Sequence, residues 1–155
     1  MNLDEYGICQ NQARLYEYVA RKGFDMEWFS EEYLRSSFCK RAFDTVYSRF
    51  QTADEQECLD FIIPELKTIK MLDKEYMLDP DVAYWIGFTY RQLYIETEVP
   101  SSKLVEKVDF TTMCRYYPGL HTVDEEMATD IICENKGFKK LARFKEESET
   151  KDEQF

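Results

Sequence analysis

Apolar positions recur every three or four residues along this chain, and charged residues fill the faces between them. Only five glycines and four prolines interrupt the pattern. β-branched runs are short, so the periodicity predicts helices throughout. Ile8, Leu15 and Val19, flanked by Tyr16 and Ala20, make the inner stripe of a first helix over residues 4–22, with Arg14, Glu17 and Arg21 outside and Gly23 as its stop. Asp25 is placed to cap a second helix, and Phe24 and Phe29 have the spacing of a hydrophobic staple. Residues 36–44 read as a short helix, followed by an irregular connection at 47–50. Thr52 and Glu55 have capping-box spacing and open a third helix, with Leu59, Ile62 and Leu66 inward and Pro64 ending or kinking it.

The most informative stretch follows Asp79-Pro80, a cap with proline at the first helical position. Val82, Trp85, Ile86 and Leu93 form one apolar stripe, Tyr84, Phe88 and Ile95 a second, and Ala83, Gly87, Tyr90 and Tyr94 a third. A helix apolar nearly all round is a buried central helix, here at about residues 80–96. Gly87 lowers helix propensity by about 1 kcal/mol against Ala, which close approach of a neighbouring helix would offset. Short helices are expected over 102–108 and 110–117, then a turn at Pro118-Gly119. A second capping box, Thr122 to Glu125, opens a last helix with Met127, Ala128, Ile131 and Ile132 inward and Gly137 as its stop. The fold expected is all-α: a single-domain helical bundle around the central helix, with a helical domain at 1–138. Residues 139–155 are expected to be a charged, partly disordered tail, its last ten residues disordered.

Composition narrows the function. The 155 residues carry a net charge of −11, which argues against direct nucleic-acid binding and against docking on anionic lipid. There is no basic start with an apolar run at the beginning of the sequence, and no apolar stretch is long enough to span a bilayer. Cys9, Cys39, Cys58, Cys114 and Cys133 are odd in number and scattered, as expected of free thiols in a reducing cytoplasm.

Candidate chemistry is sparse. One histidine, His121, and no paired cysteines leave no zinc spacing, and no glycine-rich phosphate loop or nucleophile elbow occurs. No metal, cofactor or enzymatic activity is expected. Cys114 and His121 could form a nucleophile–base pair, but packing is the expected role of both. Glu126, Asp130 and Glu134 line one helical stripe with no Lys or Arg on it, and Asp54, Glu55, Glu57 and Asp60 form a second acidic patch. Each reads as a solvated face or as a docking surface for a basic partner. Glu126, Asp130, Glu134, Asp54 and Glu57 are the partner-contact candidates. Arg91 falls on an apolar stripe of the central helix, so it either snorkels outward or clamps an internal carboxylate, the clamp being expected. Gly87, Trp85, His121 and Thr122 are assigned structural roles, the last two as a helix-start clasp.

Three motifs resemble a known family. Tyr84-Trp85-x-Gly87-x-x-Tyr90-Arg91, then Ser101-Ser102-Lys103-x-x-x-Lys107, then Tyr117-x-x-Leu120-His121-Thr122-x-Asp124 are similar to a family of small uncharacterised bacterial proteins encoded beside ADP-ribosyltransferase-like toxins. The likeness covers residues 79–135 and, more loosely, 48–61. It implies an antitoxin-like component of a toxin–antitoxin module and carries no catalytic residue. The expected function is therefore a non-enzymatic protein-binding module that neutralises a partner toxin by surface contact. The alternative is an acidic mobile-element inhibitor, anti-CRISPR-like, that mimics nucleic acid toward a nucleic-acid-binding effector.

Overall fold

Two long helices form the axis of the molecule in the computed structural model, which describes residues 1–145. Helix α1 (Leu3–Arg21) lies along α5 (Pro80–Thr97), the expected buried central helix. Around this pair sit α2 (Met26–Leu34), α3 (Ser37–Ala42), α4 (Glu55–Ile62), α6 (Ser101–Lys107), α7 (Phe110–Leu120) and α8 (Glu125–Lys136). The fold is all-α, and no strand occurs among the described residues. The nearest approach to one is an isolated bridge between Phe24 and Met71. No helix among the described residues is long and apolar enough to cross a membrane.

Local chemistry sets the helix starts. Asn2 and Glu5 close a reciprocal capping box on α1, at 2.8 and 3.0 Å. Asp25 accepts the Trp28 N–H at the start of α2, while the Phe24 and Phe29 rings meet edge-on at 6.2 Å. Asp79 caps α5 through the Asp81 N–H at 2.9 Å. Gly23 turns the chain after α1 with φ +89°, a region few other residues adopt, and its carbonyl accepts from Leu72 at 2.8 Å.

The helix contact that Gly87 predicts is present. A Cβ there would lie 2.7 Å from Cγ of Tyr16 and 3.0 Å from the Gln12 carbonyl oxygen, so only glycine lets α1 and α5 approach this closely. The core spreads from this crossing through Tyr16, Phe29, Tyr33 and Phe43. Their rings pack edge-to-face, apart from a parallel stack of Phe29 on Tyr33.

Four local expectations are corrected. Neither threonine capping box forms. Asp54 caps α4 by accepting the Glu57 N–H, and Asp124 caps α8 by accepting the Met127 N–H, each at 2.8 Å. Both sequences read Thr-x-Asp-Glu, and aspartate is the stronger cap, so both helices start two residues later than a threonine cap requires. Thr122 is exposed and His121 caps the C-terminal end of α7, so the two form no clasp on α8. Residues 118–119 are not a turn. Helix α7 continues through Pro118 to the buried Leu120, although the proline has no N–H to offer the carbonyl of Cys114 one turn earlier. Met127 is half exposed, leaving Ala128 and Ile132 to anchor α8.

Packing also runs past residue 138. Phe144 is buried, Leu141 N–H donates to the Glu96 carbonyl at 2.7 Å, and Arg143 pairs with Glu5. Residues 138–145 are a strap fastened across the ends of α1, α5 and α8. The disorder expected for the last ten residues concerns positions outside the described residues.

Candidate functional site

The most concentrated polar chemistry lies inside the molecule. Arg91, fully buried on α5, donates from Nη1 to Asp44 at 2.7 Å, so the carboxylate of the expected clamp is Asp44, just beyond α3. Its Nε and Nη2 both donate to Oε1 of Gln12 on α1, at 3.0 and 2.8 Å, and Nη2 also reaches Oγ of Ser101 at 3.0 Å. Asp44 accepts in turn from the hydroxyl and the backbone N–H of Ser101 at the start of α6. Gln12 completes its set by donating to the Gly87 carbonyl and accepting from the Tyr33 hydroxyl. Burial opposes the guanidinium charge. The surrounding Cys39, Asp44 and Tyr33 together outweigh that cost and hold Arg91 above its ordinary pKa, while burial pushes the Cys39 thiol up. Every polar side-chain atom buried among the described residues has a partner. The network ties four elements together, and its donors and acceptors are spent on each other.

A second internal pair joins the strap to the body. Lys140 Nζ lies 3.3 Å from the buried Glu96 of α5 and 2.6 Å from Asp130 of α8, and it donates to Thr129 at 2.9 Å. Burial raises the Glu96 carboxyl above its usual range, against the lowering influence of Thr129 and Lys140. Hydrogen bonding to Asp130 and the charge of Glu96 raise Lys140 in spite of its own burial.

This pair changes the acidic stripe on α8. Asp130 is neutralised by a lysine that comes from the strap rather than from the helix itself. Glu134 remains exposed beside a hollow of about 340 Å³ that Lys139 and Lys145 also line. Glu126 is half-buried, and its backbone carbonyl accepts from Thr129 and Lys140. In the other acidic patch Asp54 is engaged as a cap and Glu57 pairs with Arg49, whose guanidinium also lies over the rings of Phe50 and Phe61. The candidate carboxylates therefore sit on two separate faces, α4 and α8, and the structure does not bring them together.

The remaining candidates are placed as follows. His121 is exposed, stacks on Tyr117 at 4.2 Å, and has its Nδ1 2.7 Å from the Tyr117 carbonyl. Trp85 meets Tyr117 edge-on at 5.8 Å. Cys9, Cys39, Cys58 and Cys133 are buried, and burial raises all five thiols, Cys58 to about 12 and Cys133 to about 11. Among the described residues no group of three or more His, Cys, Asp or Glu could hold a metal ion.

Sequence reasoning missed an exposed apolar ridge. Leu3 is 90% exposed, Val46 96% and Tyr47 80%. Val46 and Tyr47 stand in the connection after α3, beside the outer face of α1. A hollow of about 510 Å³ lies on one side of Val46 and another of about 320 Å³ on the other, and both share Asp4 and Ile8 as lining. The available signal was Thr45-Val46-Tyr47, a β-branched and aromatic run in a segment without helical periodicity. Comparison with family models, curated proteins and solved structures yields no match for this chain.

Proposed function

We propose that this chain is a protein-binding module that acts by surface contact, an antitoxin-like component that masks a partner toxin. The observation that carries the reading is the direction in which the chemistry points. The buried guanidinium, the buried carboxylates and four of the five thiols face inward and are consumed by the fold. Outward, the molecule offers carboxylate excess and the bare apolar ridge of Leu3, Val46 and Tyr47. Apolar surface supplies the desolvated centre of an interface, and surrounding charge steers the encounter and selects the partner's sign. Glu134 and the acidic face of α4 serve as that steering field. The family resemblance supplies the partner class, an ADP-ribosyltransferase-like toxin. The pairing of Asp130 with Lys140 and of Glu57 with Arg49 weighs against nucleic-acid mimicry, which needs an uninterrupted row of negative charge.

The test is neutralisation in cells. Expression of an ADP-ribosyltransferase-like toxin encoded beside this chain should arrest growth, and co-expression of the chain should restore it. Arrest that persists despite soluble, folded chain would overturn the proposal.

A further inference from the structure

The two mid-helix glycines of α1 and α5 differ in one respect. Gly87 is filled against by Tyr16, whereas a Cβ added at Gly7 would meet nothing within 4 Å. Glycine weakens a helix interior, and at Gly7 no contact within this chain compensates. Gly7 lies on the same stretch of α1 as Leu3 and Ile8 and lines the larger hollow beside Val46 and Tyr47. A bare backbone there forms part of the floor of the larger hollow, and Val46, Asp4 and Ile8 are the wall it shares with the smaller one.

We propose that this groove receives an amphipathic helix from a basic protein partner, its apolar side chains entering the hollows on either side of Val46 and its backbone crossing Gly7. The inference rests on the protein-binding reading and names the surface and the partner's chemistry. Charge decides among occupants. Asp4 and Glu98 border the smaller hollow and make no ion pair among the described residues, while Glu5 beside them is engaged by Arg143. Arg14 lines the larger hollow. Carboxylates thus outnumber free cations along the groove, and a second copy of a chain with net charge −11 is repelled from it. A helix carrying Lys or Arg beside its apolar stripe is attracted.

The probe is a fluorescein-labelled leucine–lysine helical peptide of about 14 residues with leucines at i, i+3, i+4 and i+7. It is titrated by anisotropy against the full chain. Gly7→Gln puts a helix-favouring side chain into open space, so it should raise the melting temperature while weakening the peptide by about tenfold. Tyr47→Ser should weaken it similarly, as should Asp4→Lys with Glu98→Lys. The charge-matched pair Glu75→Lys with Glu106→Lys, away from the groove, should leave affinity close to wild type.

Equal loss from both charge-reversed pairs, or no loss from Gly7→Gln, would show mere attraction to an acidic surface and overturn the proposal. So would a homodimer in sedimentation that Gly7→Gln dissociates, or peptide binding only after removal of residues 146–155. If the toxin is still neutralised by Gly7→Gln chain, the groove fails and the antitoxin reading survives. If the peptide behaves as expected but no toxin is neutralised, the groove stands and that reading fails.

Discussion

Arg91 and Asp44, 47 positions apart in sequence, meet at 2.7 Å with the guanidinium wholly buried. Asp44 belongs to no helix; its pairing with Arg91 fixes the connection after α3 against α5, and the bonds it accepts from Ser101 fix it against the start of α6. The same connection carries Val46 and Tyr47 two and three residues further on, so the internal clamp positions the exposed ridge.

Arg91→Met should destabilise the fold by about 3–5 kcal/mol, because Asp44 loses its counter-charge and Gln12 loses two of its three donors inside the protein. Arg91→Lys should recover little, since one ammonium cannot reach Asp44, Gln12 and Ser101 in the guanidinium's fixed fork. Urea denaturation measures both. In a double-mutant cycle with Asp44→Asn, the pair should show strong coupling, and additive losses would mean the clamp is not a unit.

Two glycine substitutions should move in opposite directions. Gly7→Ala should stabilise by about 1 kcal/mol, the ordinary gain of a helix interior in open space. Gly87→Ala should destabilise despite the same propensity gain, because its Cβ would collide with Tyr16 and with the Gln12 carbonyl. Thermal melts with matched denaturant curves distinguish the signs.

The cap on α8 gives a further contrast. Asp124→Ala should cost about 1 kcal/mol, whereas Thr122→Ala should leave stability near wild type. A larger loss at Thr122 than at Asp124 would restore the capping box that the sequence suggests.

The Asp25 and Asp79 caps, the Gly23 and Gly137 stops, the central helix, the close approach at Gly87 and an internal partner for Arg91 are all legible from local patterns, because the signal for each lies in residues within one or two turns. The partners are not. Asp44 stands among other charged residues of a short segment, and nothing local distinguishes it from a surface carboxylate. Gln12 offered a weak signal, a polar residue four positions from Ile8 and four from Tyr16 on an otherwise apolar stripe. The neutralisation of Asp130 was invisible because Lys140 arrives from beyond the helix, across the Gly137 turn. The threonine caps misled because capping-box spacing does not say which of two candidate residues the backbone will choose.

Acidity acts on the strap in two opposite senses. The Glu96 carboxyl is raised by burial, so the native state takes its proton more readily than the unfolded chain does. Falling pH through that raised value therefore favours folding as far as Glu96 is concerned, and Glu96→Gln should remove this dependence. The Glu5 carboxyl is lowered by its hydrogen bond to Arg143. Its contribution is present above the usual carboxylate range and is lost as pH falls through the lowered value. Lys140→Met should cost roughly 2–3 kcal/mol at neutral pH, less on acidification, because Glu96 left without its cation takes up a proton. Urea titrations at pH 7 and pH 5, run on both variants, check the signs.

Direct titration of the purified chain into the ADP-ribosyltransferase-like toxin proposed as its partner tests the functional account most closely. Calorimetry should show a stoichiometric complex whose affinity falls as salt rises, and ADP-ribose transfer by the toxin should stop at the same equivalence point. Absence of a complex at micromolar concentrations, with toxin activity unchanged in the presence of excess folded chain, would contradict it.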